Sequence, residues 1–244
     1  MRFRFKSLGF FILHPSSLSL VTAIIVAAGS SRRMGFNKLT ALLAGKPVLR
    51  WTIEAFDHCP AVDDIIVVTG EAVHEIVSDW VAEKCFAKPV QIVAGGAERY
   101  LSVHNGLRQL SPQTGVVAVH DGARPLITPE QITHCIEKAR EVRAVACARP
   151  ITETMKRVSA EGIITGSIER EAAWIMETPQ VFDRALLCEA YDRIVSEGLP
   201  VTDEVSAVQH LGAPVFVHDN PSPNPKITHP GDLTFAGQWL QKRD

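Results

Sequence analysis

Residues 22–35 read TAIIVAAGSSRRMG. Thr22 to Ala28 form a continuous apolar and β-branched run that stops abruptly at Gly29, Ser30 and Ser31, the pattern of a strand buried on both faces in a parallel sheet. Small residues at the break leave the backbone N–H groups open to close approach by a phosphate. Arg32, Arg33 and Lys38 follow directly, offering guanidinium forks and an ammonium point charge to anionic oxygens. The segment has neither GxxxxGK[ST] nor GxGxxG, so it is neither a Walker loop nor a dinucleotide-binding turn.

Downstream, strand-like and helix-like stretches alternate. Strands are predicted over 64–69 (DIIVVT), 90–93, 115–120 and 145–148, with helices over 49–57, 71–86, 99–110 and 129–143. Alternation of this kind builds an α/β sheet with right-handed crossovers, predicting a three-layer, Rossmann-like fold with a mostly parallel twisted sheet. The pattern loosens between Ile151 and Ile175, where TMKRVSAEGIITGSIER suggests two short strands joined by a turn, a protruding β-arm over about 150–172. A helix over 179–197, a last strand over 214–218 and a helix over 232–239 complete the reading. The expected organisation is an N-terminal extension, poorly ordered, over 1–20 and a single domain over 21–240.

Composition removes several function classes. With 25 basic residues against 27 acidic ones, the chain has no basic excess for coating a nucleic acid. Its short apolar runs fall far below the roughly 20 residues a membrane helix needs. The 5 cysteines lie far apart without CxxC spacing, which points to reduced thiols in a cytoplasmic protein rather than to disulfides or structural zinc. HExxH and GxSxG are also missing, so hydrolytic metal or serine chemistry has no anchor.

Ligands of open α/β sheets bind at the carboxyl ends of strands, which directs attention to the other strand ends. One leads into Gly95-Gly96-Ala97-Glu98-Arg99, another into His120-Asp121-Gly122-Ala123-Arg124. Asp121 reads either as a magnesium position beside nucleotide phosphates or as a turn cap. His120, a lone histidine on an apolar strand, reads as structural. In NPKITHPGDL, Asn224 and Thr228 are expected to tie a loop, Pro230 to start a helix and Asp232 to sit in its first turn. Lys226, between them, is either a surface charge or a phosphate ligand. Thr202, Asp203 and Glu204 form a polar cluster that caps a helix or reaches a ligand, capping being the safer reading. What remains is a cation-rich phosphate site suited to phosphoryl or nucleotidyl transfer.

Taken in order, AIIVAAGSSRRMG, NKL, GGAERYLSV, VHDGARP, ETMKR, the ER before ETPQ, VTDEVSAV and NPKITHPGDL resemble the 2-C-methyl-D-erythritol 4-phosphate cytidylyltransferase family from Val21 to Leu240. The resemblance implies a nucleotidyltransferase domain that joins CTP to methylerythritol phosphate, releasing pyrophosphate, with magnesium and without a covalent enzyme intermediate. It implies that Arg33, Lys38 and Lys226 hold the CTP phosphates and stabilise the transition state. Ala27, Ala28, Gly29 and Ser30 would wall the nucleotide. Gly95, Gly96, Arg99 and Ser102 would recognise cytosine and support its pocket. Asp121, also the tentative metal ligand, would serve the acceptor side with Arg124, Thr154, Lys156, Arg170 and Thr202. It further implies a homodimer in which the arm embraces the partner. Gly122 and Pro225 depart from the residues common in the family, loosening one loop and removing an N–H from another.

Overall fold

Strand β1 (Leu20–Ala27) starts two residues before the predicted Thr22, inside the segment read as an extension. It belongs to a computed structural model that describes residues 19–29 and 35–242; the rest of the expected N-terminal extension lies outside the described residues. A small ribbon, β2 (Leu42–Leu43) and β3 (Lys46–Pro47), leads into helix α1 (Val48–Asp57). Strand β4 (Asp64–Thr69) falls on the predicted residues. Helix α2 (Glu71–Ala82) ends before the predicted Phe86, because Lys84 adopts φ 54° and turns the chain toward β5 (Val90–Ala94). Helix α3 (Arg99–Leu107) and β6 (Thr114–Asp121) follow.

Helix α4 (Pro129–Val142) begins at a reciprocal cap, Thr128 accepting from the Gln131 N–H while the Gln131 side chain accepts from the Thr128 N–H. Next come β7 (Ala144–Pro150) and a hairpin of β8 (Met155–Val158) and β9 (Ile164–Ile168). Strand β10 (Trp174–Asp183) corrects the sequence reading, which placed a helix from Pro179 onward. Helix α5 (Arg184–Glu197) starts only after Asp183 caps it by accepting from the Leu186 N–H. Pro179 is tolerated in β10 because pairing with β7 is interrupted between Met176 and Gln180, so no ladder donor is demanded there. Helix α6 (Glu204–Gln209), β11 (Phe216–Asp219) and α7 (Pro230–Leu240) finish the chain.

Seven strands form one sheet in the order β11-β7-β10-β6-β1-β4-β5. All neighbours pair in parallel except β10, which runs antiparallel to β6 and β7. Side-chain alternation along β1 divides the core between two faces. Val21, Ala23 and Ile25 pack with α1, α2 and α4 residues such as Ile53, Val77 and Ile136. Ile24 packs on the other face with Val103 of α3, Leu187 and Tyr191 of α5 and Val208 of α6. This gives the predicted three layers. Among the described residues, the arm hairpin pairs only with itself and stays outside the main sheet.

Register sets where the chemistry sits. Ala27 of β1 lies opposite Thr69 of β4, and Val26 lies opposite Asp121 of β6, so three strands end together. Gly122, expected to loosen its loop, is instead held close: its N–H donates to the Val26 carbonyl at 2.9 Å, and an added Cβ would stand 2.9 Å from Leu49 Cδ1.

Candidate active site

A cavity of about 350 Å³ opens where β1 and β6 end. Ala28 and Gly29 form its β1 side, Gly96, Arg99 and Ser102 the β5–α3 side, and Asp121 its β6 side, with Lys38 and Lys226 entering from separate loops. Residues predicted from four distant segments thus meet. Ser30 and Arg33 lie outside the described residues. Ala27 is buried in the core beneath the cavity.

Gly95 supports the wall from behind, since a Cβ there would meet Ala28 Cβ at 2.3 Å. Its neighbour Gly96 donates its N–H to Ser102 Oγ at 3.1 Å, and that hydroxyl reaches the Glu98 carbonyl at 3.1 Å. Ser102 therefore holds the glycine turn against the start of α3. The two lysines are linked through one loop: Lys38 Nζ donates to the Ile227 carbonyl at 2.8 Å, next to Lys226. The loop itself is tied as predicted. The Asn224 amide donates to the Thr178 carbonyl at 2.8 Å, and Asp232 accepts from the Thr228 N–H at 2.7 Å.

Asp121 is the hub of the cation cluster. Its Oδ1 accepts from Arg99 Nε at 3.1 Å, while Oδ2 faces Lys226 Nζ at 3.0 Å and Arg124 Nε at 3.3 Å. Burial alone would raise its pKa, but the charges of Arg99, Lys226 and Arg124 outweigh this and hold the carboxyl far below the usual carboxylate range. The same three charges bear on magnesium. A cation held by Asp121 would have to displace or sit beside three positive groups, and no cluster of three His, Cys, Asp or Glu suited to a metal occurs among the described residues. These residues do not fit a magnesium ion bound through Asp121.

Other predicted residues fall elsewhere. Arg124 buttresses loops, donating to the Asn224 carbonyl at 2.8 Å and the Met176 carbonyl at 3.4 Å. Thr202 is exposed beside the cap of α6 and does not line the cavity, because Asp203 turns the chain there by accepting from the Ser206 N–H at 2.9 Å. Thr154 and Arg170 line a separate cavity of about 480 Å³ on the arm, where Lys156 bonds Ser167 Oγ at 2.7 Å. Within one chain they are not brought to Asp121. His120 is structural as read: its ring lies between Thr178 Oγ1 and the Arg124 carbonyl, and burial pushes its pKa down to about 3.

Arg99 lines the cavity on the side expected of the cytosine pocket, and its guanidinium is held from within. Its guanidinium is committed to two carboxylates, Asp121 on the cavity wall and Glu204 in the interior. Sequence reasoning missed this use of Glu204, which it grouped with the α6 cap. No local signal separates Glu204 from the Asp203 cap beside it; its burial and its pairing with Arg99 come only with the fold.

The family model of 2-C-methyl-D-erythritol 4-phosphate cytidylyltransferase matches residues 21–242. A protein of that name from Caldanaerobacter subterraneus subsp. tengcongensis is 40% identical over 225 residues, covering 91% of this chain and 99% of the relative. Another from Dehalococcoides mccartyi is 41% identical over 223 residues, covering 91% of this chain and 96% of the relative. Among solved structures, 4-diphosphocytidyl-2C-methyl-D-erythritol synthase from Anaerococcus prevotii superposes with a TM-score of 0.81 at 28% identity, covering 91% of this chain and 96% of that one. Nearly full-length matches in sequence and fold, together with the cation-lined cavity at the strand ends, show that the chain belongs to the 2-C-methyl-D-erythritol 4-phosphate cytidylyltransferase family.

Proposed function

We propose that the cavity at the ends of β1 and β6 is where this chain joins the cytidylyl group of CTP to 2-C-methyl-D-erythritol 4-phosphate. A phosphate oxygen of the acceptor forms a bond to the α-phosphorus of CTP. The bond from that phosphorus to the bridging oxygen breaks, and pyrophosphate leaves with the electron pair. The products are 4-diphosphocytidyl-2-C-methyl-D-erythritol and pyrophosphate. The observation that carries this reading is the convergence of Lys38 and the Lys226 loop, joined by the Lys38 bond to Ile227, over a small-residue strand end. Fixed cations there would be worth most as charge grows between the attacking and leaving oxygens. Arg33 is assigned to the same task. The magnesium expectation keeps only its nucleotide half: the triphosphate oxygens are the hard ligands on offer.

Thr154, Lys156 and Arg170 are assigned to the acceptor phosphate of a neighbouring subunit's cavity. Exposed apolar side chains on the arm, Val158, Ile163 and Ile164, support an arm that packs on a second copy of the chain. A cytoplasmic setting suits the free cysteines, and no described helix is long and apolar enough to cross a membrane.

Pyrophosphate release tests the reading directly. With CTP and magnesium, methylerythritol 4-phosphate should drive release while ribitol 5-phosphate at matched concentration should not. Preference for ribitol 5-phosphate would overturn the acceptor and leave the nucleotide chemistry standing.

A further inference from the structure

Glu204 opens helix α6 but does none of the capping, which Asp203 performs. Its carboxylate is fully buried and lies outside the cavity lining. Three donors converge on it: Arg99 Nη1 at 2.7 Å, Arg99 Nη2 at 3.2 Å and the Tyr191 hydroxyl at 3.0 Å. A charge so deeply buried is costly unless geometry and partners are good. Here both are, and the fork-to-fork arrangement fixes the guanidinium plane.

The remaining guanidinium nitrogen of Arg99, Nε, is the one that reaches Asp121 Oδ1. One guanidinium therefore spans two carboxylates, an interior one outside the cavity lining and one on the cavity wall. Asp121 must also satisfy Lys226 and Arg124 through its other oxygen. With Arg99 clamped by Glu204, those two cations share Oδ2 and the Asp121 carboxyl plane is held from both sides. Without the clamp, Arg99 would be free to chelate Asp121 with both ends of its fork and turn it away from Lys226.

We propose that Glu204 is a positioning residue for cytidylyl transfer, acting through Arg99 to present Asp121 to the acceptor in a single orientation. The inference rests on the assignment of Asp121 to the acceptor side of the cavity. Helix α6 serves it as a mount. The Gln180 side chain donates to Asp203 Oδ2 at 3.0 Å and accepts from the Val205 N–H at 3.1 Å, docking the helix on β10.

The test is steady-state kinetics on the full chain, per active site, varying CTP and methylerythritol 4-phosphate separately. Glu204→Gln keeps the shape and removes the charge; it should raise the acceptor KM about tenfold while the CTP KM stays within about twofold. In an Asp121→Asn background the same substitution should change the acceptor KM by less than about twofold, since its target is gone. A merely structural ion pair would lower the active fraction and leave both KM values alone. Should Glu204→Gln fail to fold, Tyr191→Phe removes one bond to Glu204 and should raise the acceptor KM about threefold. An unchanged acceptor KM in the folded variants, equal rises in both KM values, or full additivity with Asp121→Asn would overturn the proposal. Wild-type chain that does not turn over methylerythritol 4-phosphate would instead overturn the reaction assigned above.

Discussion

An added methyl group at Gly95 would stand 2.3 Å from Ala28 Cβ and 3.1 Å from Ser102 Oγ, so something in the cavity wall must shift. Overpacking of this kind costs about 1–3 kcal/mol. Gly95→Ala should lower the urea midpoint accordingly and raise the CTP KM, because Ala28 is the displaced neighbour; a variant with wild-type CTP affinity would detach this wall from the nucleotide. His120 sets a second expectation. Its pKa falls from 6.5 to about 3 on folding, driven by burial, so between those values the unfolded chain carries a proton that the folded chain lacks. Stability contributed by the neutral ring is complete above pH 6.5 and is lost as pH drops through that window, by about 1.4 kcal/mol per pH unit. Asp121, held far below its usual range, adds to the loss only at still lower pH, once the unfolded carboxyl takes up protons. Between about pH 7 and about pH 5 the His120 contribution amounts to about 2 kcal/mol, so the pH dependence of urea unfolding for His120→Asn should be smaller than that of the wild type by about that amount.

At the scale of elements, what the sequence made legible was whatever local chemistry decides. DIIVVT specifies β4 because its β-branched run has no competing helical period, and the Thr128 cap with Pro129 marks where α4 begins. The arm was readable from the short apolar pairs around Gly162 and Gly166, and the hairpin of β8 and β9 sits there. Strand β10 was not. Its pairing depends on β6 and β7, both distant in sequence, and Pro179 masks it by suggesting a helix start. Among the site residues, Lys38 stood out by charge beside small residues at a strand end, whereas Asp121 and Lys226 each kept a structural alternative until the family resemblance was added. Glu204 did not stand out, since the Arg99 that gives it meaning lies on another helix and only tertiary folding brings them together. The polar cluster at 202–204 read first as a cap, and Asp203 makes it one; the substrate role of Thr202 came from the resemblance alone.

For the molecule as a whole, the separation of cavity and arm within one chain leads to a prediction about mixing. Lys226 lines the strand-end cavity, whereas Arg170 lines the arm cavity. If each arm completes a neighbour's site, Lys226→Ala and Arg170→Ala chains that are each inactive should restore one intact site per mixed dimer. Co-refolded in equal amounts, they should recover about a quarter of wild-type activity, half the dimers being mixed and half the sites in those being intact. Activity that stays at the level of the separate variants would mean that the arm serves its own chain.

The Arg99 bridge has a genetic consequence. Positions 99, 121 and 204 carry one shared charge balance, yet they are strung across α3, β6 and α6. Any crossover between two related genes that falls inside that interval inherits the guanidinium from one parent and a carboxylate from the other. Such chimeras inherit a working bridge only when the two contributed segments together supply all three residues, so this stretch of the gene is most safely exchanged as a block.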